Sequence, residues 1–586
     1  MKNRKRLIFI LCLPVLQLSP YFSFGQGIEI QTGASITNTG AATIEINNGG
    51  FINNGTYTKA SETVTFSGAT PKTISGSSIT DMYILAISNT GGITIVAGEK
   101  LSVSNTLTNS AGTAGLVIQS TSDGATGTAS LINSTTGVSA TVERWMTGDL
   151  WHLISPAATG GETVADFVDT TQNDNLIARN ATNYAFASYI ESNDSWDYFK
   201  VAGISGSLDV SGKGYQVLRA TGAGTGNGNT ADNGIVSFKG TLAAEDKTTG
   251  ITKTAATGNG WNLIGNPYPC AMDVKLFLEN NANVAAIDPS YRAIYVADIT
   301  NTATYGYTPV NFADNPDLKL ASSEGFFVKS ATGGGTVNFT TAMKSHISSA
   351  FKSAVIQNGF NLIAESAGIK MGTSVKYIPQ MTAGLDPGWD AGLFDNGDDV
   401  PLSLFTRLVE DNGVDFTIQC LPDYDYENLV VPVGITAKQG TTVIFSLTDV
   451  TVPDGFKVFL EDKVSGKFTR LDEQGSIYRV QINADSNGTG RFFLHTKQEI
   501  TGIKDGISNH IVVIPLPQHS IIRVSGLVNL PAQATVYDMN GRMIAIKKLT
   551  GLNENEIPLQ RVSNGIYLIN IKSDKQTTQC KFSWSL

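Results

Sequence analysis

Apolar and polar residues alternate in short bursts through most of this chain, and a glycine, asparagine or proline soon interrupts each burst. In residues 26–140 the pairs Ile28/Ile30, Ile44/Ile46, Val64/Phe66, Ile93/Ile95 and Leu101/Val103 each put two apolar side chains on one face of a short strand. Between them stand Asn38-Thr39-Gly40, Asn47-Asn48-Gly49, Asn53-Asn54-Gly55 and Asn89-Thr90-Gly91. Asn and Gly tolerate the positive φ that tight turns demand. The turns start 9, 6 and 36 residues apart, so no fixed period emerges. The pattern predicts a parallel β-solenoid or a stack of short strands, with an irregular β-sandwich as the competing fold.

The next block repeats itself. Trp151-His152-Leu153-Ile154 recurs as Trp261-Asn262-Leu263-Ile264, and the helical triplet Val164, Phe167, Val168 recurs as Val274, Phe277, Leu278, both at an offset of 110. Gly214-Tyr215-Gln216-Val217 matches Gly325-Phe326-Phe327-Val328 at 111, and Val236-Ser237-Phe238 matches Val337-Asn338-Phe339 at 101. The shorter last offset places an insertion of ten residues near Gly226 to Asp232 in the first copy. The spacing predicts a duplicated β-rich module, 141–242 and 243–345. Each copy holds an aromatic-rich hairpin, one around Asn193-Asp194 and one around Asn301-Thr302. Phe360-Asn361-Leu362-Ile363, closed by Arg491-Phe492-Phe493-Leu494, reads as a third, weaker copy within an antiparallel β-sandwich spanning 346–497. After a linker at 498–504, residues 505–586 read as a small Ig-like β-sandwich, with Asp538 to Gly541 as a hairpin turn and Gly565 bending into another strand. The fold class expected is all-β throughout.

Composition sharpens this. Charged residues are 16% of the chain, against about 25% in average soluble proteins, which argues against helical bundles and coiled coils. Lys2, Arg4, Lys5 and Arg6 precede an apolar run from Leu7 to Leu18, with small residues ahead of Gln26. That is the layout of a secretory signal peptide, 1–25, cleaved between Gly25 and Gln26. The net charge of −10 becomes −14 once those four cations leave, so nothing supplies the cationic face that nucleic acid requires. No later stretch is apolar for long enough to predict a transmembrane helix. Cys270, Cys420 and Cys580 are odd in number and widely spread, which reads as small buried side chains rather than a zinc site or a disulfide framework.

Val536-Tyr537-Asp538, Gly541-Arg542, Asn564-Gly565-Ile566-Tyr567 and the terminal Lys581-Phe582 together resemble the C-terminal sorting domain of Bacteroidetes type IX secretion cargo. The sorting-signal residues carried over are Asp538, Gly541, Arg542, Gly565, Tyr567 and Lys581. Pro515-Leu516-Pro517 departs from the Pro-Asn-Pro that usually opens that family, and Cys580 and Trp584 are unusual so near its end. Upstream, the W-x-L-I strands, Asn266-Pro267-Tyr268-Pro269 and the G-F-F-V strand are similar to large Bacteroidetes surface proteins of unknown role. The resemblance implies Sec export, then passage of the outer membrane by the type IX machinery. Removal of the tail follows, with attachment to surface lipopolysaccharide by the attachment enzyme or release into the medium.

Catalytic chemistry is sparse. The five histidines fall in different modules, and H-E-x-x-H, G-x-S-x-G and the phosphate-loop motif are all missing. Asp386, Asp390, Asp395, Asp398 and Asp399 form the best metal candidate, against a reading as solvated turn aspartates, and their spacing misses the calcium-loop template. No catalytic residue, metal ligand or cofactor is assigned. Tyr189, Trp196, Tyr198, Tyr295, Tyr305 and Tyr307 would stack on sugar rings if they pointed outward, or fill the inner face of a sandwich. Two functions remain. One is a surface-displayed, non-enzymatic, adhesin-like or structural protein with an extracellular glycan or protein ligand. The other is a secreted polysaccharide-active enzyme with a solenoid catalytic domain and carbohydrate-binding modules. Between Gly27 and Ala140 the charges are only Glu29, Glu45, Glu62, Asp81, Glu99, Asp123, Lys59, Lys72 and Lys100, and that scarcity favours the first.

Overall fold

The computed structural model describes residues 16–17, 21–24, 27–122, 126–160, 162–168, 177–219, 234–254, 258–297, 306–313, 317–346, 358–395, 401–498, 511–525, 531–550, 554–560, 562–573 and 577–584. The chain divides into two compact units, Met1–Val452 with Phe459–His495, and Pro453–Val458 with Thr496–Leu586.

The first unit opens with a parallel β-solenoid. One stack of strands runs Thr43–Ile46, Thr63–Phe66, Thr80–Ile87, Lys100–Asn109 and Ser130–Asn133. A second runs Ile28–Ile30, Phe51–Asn53, Lys72–Gly76, Ile93–Ile95, Leu116–Ile118 and Ser139–Trp145. Ser35–Thr37 beside Thr56–Thr58 begins a third face. In the full-length chain Leu16–Gln17 and Tyr21–Phe24 pair onto these first coils. Stacking puts like residues over like: Ile28, Phe51, Ile74, Ile95, Ile118 and Val142 form one continuous buried row, with register steps of 23, 23, 21, 23 and 24 residues. Each coil buries its apolar row only against its neighbours, so the stack is stable as an array and not coil by coil.

Of the Asn-x-Gly segments, Asn47-Asn48-Gly49 has the expected positive φ, with Gly49 at 77°, whereas two others differ. Asn53 and Asn89 are fully buried, and their side-chain oxygens accept the N–H groups of Gly55 (3.2 Å) and Gly91 (2.6 Å). Neither glycine has positive φ. They are needed for room, because a Cβ at Gly55 would lie 2.3 Å from the Ala34 carbonyl oxygen and one at Gly91 2.5 Å from that of Ala69.

An open parallel edge invites aggregation, and the duplicated modules close this one. Ile235–Leu242 of the first copy pairs antiparallel with Ser139–Trp145, from Ser139↔Thr241 to Trp145↔Ile235. On the other stack, the Leu131 N–H donates to the Pro269 carbonyl of the second copy at 2.9 Å. The Asn-Pro-Tyr-Pro segment is locked for this task. Asn266 Nδ2 donates to the Cys270 carbonyl (2.8 Å), and the Tyr268 hydroxyl donates to that of Phe339 (2.7 Å).

The two copies share one topology. Trp151–Ile154, Tyr215–Leu218, Asn183–Ile190 and Ser195–Lys200 form a four-stranded sheet in that order. Trp261–Gly265, Gly325–Lys329, Ile294–Ala297 and Tyr307–Val310 do the same. Phe167 stacks on Phe238 and Phe277 on Phe339, both with ring centroids 5.3 Å apart.

The copies meet through a pseudo-twofold interface. Ile154 bridges Glu324, and its counterpart Ile264 bridges Lys213. The Ser155 N–H donates to the Ser323 carbonyl and the Gly265 N–H to that of Gly212, each at 3.0 Å. Gly214 and Gly325 make this approach possible: a Cβ at Gly214 would lie 2.8 Å from the Ile264 carbonyl oxygen, and one at Gly325 2.8 Å from the Ile154 nitrogen.

Residues 358–498 form one hydrogen-bonded sheet of eleven strands, including a parallel pairing of Ile369–Tyr377 with Phe416–Leu421. The expected third copy is not formed. Asn358–Ser366 lies between Ile369–Tyr377 and Thr442–Thr451, whereas Ser486–Gln498 pairs with Val431–Ala437. The opening and closing strands that are neighbours in both true copies are therefore apart here.

The second unit is a small two-sheet β-sandwich. Val512–Leu516, Ile521–Ser525 and Glu554–Pro558 form one sheet, and Met543–Leu549, Ala532–Asp538, Gly565–Ser573 and Thr577–Trp584 the other. Ile522, Val524, Ala534, Val536, Ile569 and Trp584 are buried between them.

Candidate functional site

Within the C-terminal unit the six sorting-signal residues divide by role. Asp538 organises the hairpin turn: Oδ1 accepts the N–H groups of Asn540 (3.0 Å) and Arg542 (2.9 Å), and Oδ2 accepts Arg542 Nε at 3.1 Å. These hydrogen bonds, led by that of the Arg542 backbone, hold the Asp538 carboxyl below its ordinary range. Gly541 sits at φ 79°, a left-handed position that favours glycine. Tyr567 is buried, donates its hydroxyl to the Ser563 carbonyl at 2.7 Å and stacks on Phe582 at 5.8 Å. That bond pins the bend from which Gly565 enters its strand. Asp538, Gly541, Arg542 and Tyr567 thus build the fold, while Lys581 stands exposed on the sheet. Trp584 completes the core, and Pro515 pairs in register with Ile522. Gly25 and Gln26 lie outside the described residues.

The aromatic candidates converge rather than point outward. Tyr295 is fully buried, and Tyr189, Trp196 and Tyr307 are half-buried against Phe327, with centroid distances of 4.9, 6.0 and 5.1 Å. Trp261 is fully buried, tilted on Phe394 at 4.2 Å, and its indole N–H donates to the Asp395 carbonyl at 2.6 Å. Both copies and the eleven-stranded sheet are thereby joined in one apolar cluster that includes Leu153, Phe327, Ile418 and Cys420. Lys329 lies over the Tyr291 ring at 3.9 Å, and burial pushes its amine down to about 8. Tyr198 differs. It is half-buried, edge-on to Trp151 at 6.1 Å, and its oxygen accepts the Gln216 amide at 2.9 Å. Tyr305 and the Asn301-Thr302 turn lie outside the described residues.

The three described aspartates of the loop differ in exposure, with Asp390 buried, Asp386 half-buried and Asp395 exposed. Asp390 is fully buried, accepts the N–H groups of Cys420 and Asp386 at 2.7 Å each, and has its carboxyl pushed up to about 7 by burial. Asp386 instead accepts the Thr382 N–H at 2.7 Å, and Asp395 contributes its backbone carbonyl to Trp261. Asp398 and Asp399 lie outside the described residues. Among the described residues, no three His, Cys, Asp or Glu side chains come together as a metal site.

Several of the solenoid's described charges are engaged in its own coils. Glu62 is fully buried and accepts the N–H groups of Ala60 (2.7 Å) and Tyr83 (3.0 Å), and Lys59 pairs with Asp81 on the next coil. Lys72 is buried and donates to the Thr70 carbonyl at 3.2 Å. Burial pushes the Glu99 carboxyl up to about 7. His346 bridges Ser102 and Ser130 at 2.8 and 2.9 Å, and burial lowers it to about 4. Sequence reasoning missed this histidine because its partners lie more than 200 positions away. Cys270 and Cys420 are buried thiols, that of Cys420 donating to the Trp389 carbonyl at 3.2 Å, and Cys580 is half-buried. No helix among the described residues is long and apolar enough to cross a membrane.

Known proteins divide the chain in a compatible way. The model for the domain of unknown function DUF8693 matches residues 39–495, and that for the secretion system C-terminal sorting domain matches residues 512–583. No curated protein matches the chain. Among solved structures, a segment of two fibronectin type-III domains from chicken tenascin is 12% identical, with a TM-score of 0.11 over 25% of this chain and 95% of that one. A BSP domain of a biofilm associated protein is 10% identical, with a TM-score of 0.17 over 76% of this chain and 92% of that one. The tail marks the chain for type IX export to the cell surface or the extracellular space. From the first turns of the solenoid to the end of the eleven-stranded sheet, the chain belongs to the family of the domain of unknown function DUF8693, and it ends in a secretion-system sorting domain.

Proposed function

We propose that the exported body is a non-enzymatic, surface-displayed protein, adhesin-like or structural, that presents β-modules to an extracellular ligand. In this reading the tail is removed after passage, and the body is attached to surface lipopolysaccharide or released. The observation that carries it is where the charges go. Glu62, Lys72 and the Lys59–Asp81 pair hold coil to coil or turn to strand, so these described charges serve the solenoid's own structure rather than standing as a pair of acids for glycoside chemistry.

The ligand surface is the outer face of the first module's sheet, where the half-exposed rings of Trp151 and Tyr198 stand together and the buried Gln216 amide fixes the Tyr198 hydroxyl. That is the chemistry of sugar-ring stacking on a positioned aromatic pair. A glycan-array screen of the full chain, run beside turnover assays on pectin-like and β-glucan substrates, tests the proposal. Saturable binding that Trp151→Ala and Tyr198→Ala weaken, without product, is the expected result. Product formation overturns it.

A further inference from the structure

In an ordinary half-buried antiparallel sheet the outer face is polar, because only the inner face packs. The four-stranded sheet of the sorting domain departs from this. Cross-strand register fixes which residues share its outer face. Lys548, Gln533, Lys572 and Thr577 form one row. Ile546, Thr535, Asn570 and Gln579 form the next, followed by Met543, Tyr537, Leu568 and Lys581. Ile566 and Ser583 complete the face.

Met543, Ile546 and Ile566 are 56%, 53% and 46% exposed, and Tyr537 and Leu568 are half-exposed beside them. Lys548, Lys572 and Lys581 are exposed around this apolar centre, and the rows contain no acid. The charge contrast with the rest of the chain is large. Residues 512–583 carry eight Lys and Arg against four Asp and Glu, a net +4, whereas residues 26–511 carry −18.

We propose that this outer face is the docking surface by which the export machinery reads the sorting domain, and that its partner is a protein surface with an apolar centre and a carboxylate rim. The proposal rests on the domain being a sorting signal and adds which of its faces is read. Apolar side chains at the centre with opposite charges at the rim is the anatomy of a specific protein interface. The ordered Thr535, Asn570 and Gln579 between the aliphatic residues supply hydrogen-bonding groups that a fluid lipid surface would not need. The turn and core residues of the motif hold the strands of this sheet in register. Lys581, the one exposed member of the motif on this face, belongs to the rim.

The test uses the full chain in its exporting cell and scores the fraction cut by external protease on intact cells. Lys548→Glu/Lys572→Glu/Lys581→Glu and, separately, Met543→Ser/Ile546→Ser are compared with a chain lacking 512–583. Lys548→Arg/Lys572→Arg/Lys581→Arg serves as the conservative control. The expected result is at least about a tenfold loss of surface exposure for both surface variants, retention with arginine, and unchanged thermal unfolding of the purified proteins. If a glutamate variant unfolds, the matching glutamine variant replaces it. Normal export of the folded glutamate or glutamine variant, with the truncated chain retained, overturns the face while leaving the sorting signal intact. Normal export of the truncated chain overturns the sorting signal itself. Glutamate-sensitive binding of the purified chain to phosphatidylglycerol vesicles, with export unaffected, overturns the protein partner in favour of an anionic lipid surface.

Discussion

The two copies of the module start from the same pattern and finish in different surroundings. In the first, Trp151 stays half-exposed and the last strand, Ile235–Leu242, is spent on capping the solenoid. In the second, Trp261 is fully buried under Phe394, and the last paired strand beyond its four-stranded sheet, Gly335–Phe339, pairs with Lys247–Ile251 of its own copy. The second copy caps the solenoid by other means, through the Pro269 carbonyl, Lys344 and His346. Duplication supplied two equivalent sheets, and the neighbours decided which became core and which stayed at the surface. The lesson is that a repeated sequence motif predicts a repeated backbone, not a repeated environment.

The largest consequence is for the paired tryptophans. Trp261→Ala removes a fully buried indole from the junction of both copies and the eleven-stranded sheet, and it is expected to cost about 3–5 kcal/mol. Trp151→Ala should cost only about 1 kcal/mol, so equal losses in chemical denaturation would break the contrast.

Next comes the cap made by the second copy. Burial, aided by the Lys100 charge, lowers His346 to about 4, from an ordinary 6.5. A depressed histidine favours folding in its neutral form, so its contribution is complete above pH 6.5 and is lost as pH falls toward 4. The loss should approach about 3 kcal/mol. Urea unfolding of the wild type and His346→Leu across that window checks it, with the variant giving the flatter profile.

The interface between the copies should respond evenly, since its contacts are reciprocal. Gly214→Ala and Gly325→Ala each force a Cβ against the other copy's strand and should each cost about 1–3 kcal/mol. A large effect at one and none at the other would show that the pseudo-symmetry is not shared energetically. A small effect is also expected for Lys329→Met in the second copy. It trades a half-buried amine over Tyr291 for an apolar chain and should shift stability by less than about 1.5 kcal/mol, measured in the same denaturation series.

Much of this was legible before any coordinates. The offsets of 110 and 111 reappear as register, with Trp151 opposite Leu218 and Trp261 opposite Lys329. The hairpin at Asp538 to Gly541 and the strand after Gly565 stand where turn chemistry placed them. The solenoid's coil length was not legible from turn spacing, because its steps vary from 20 to 24 residues over most coils and reach 30 at Lys100↔Ser130. Corner loops of unequal length hide a period that only the stacked apolar rows reveal. The orientation of Tyr295 was undetermined locally, because its hydroxyl partner is the Gly392 carbonyl in a later block. Asp390 read as a surface acid for the same reason: its burial comes from Cys420 and the strands around it. The third copy failed because Phe360-Asn361-Leu362-Ile363 copies a strand's composition without the partner strand that made the motif meaningful.

The most direct test of the account is to express the full chain and a chain ending at residue 511 in the native host and score external protease access together with the folding of each purified protein. The account predicts that the full chain reaches the surface, while the shortened chain folds but stays in the periplasm. A shortened chain that is displayed as efficiently as the full one would contradict it.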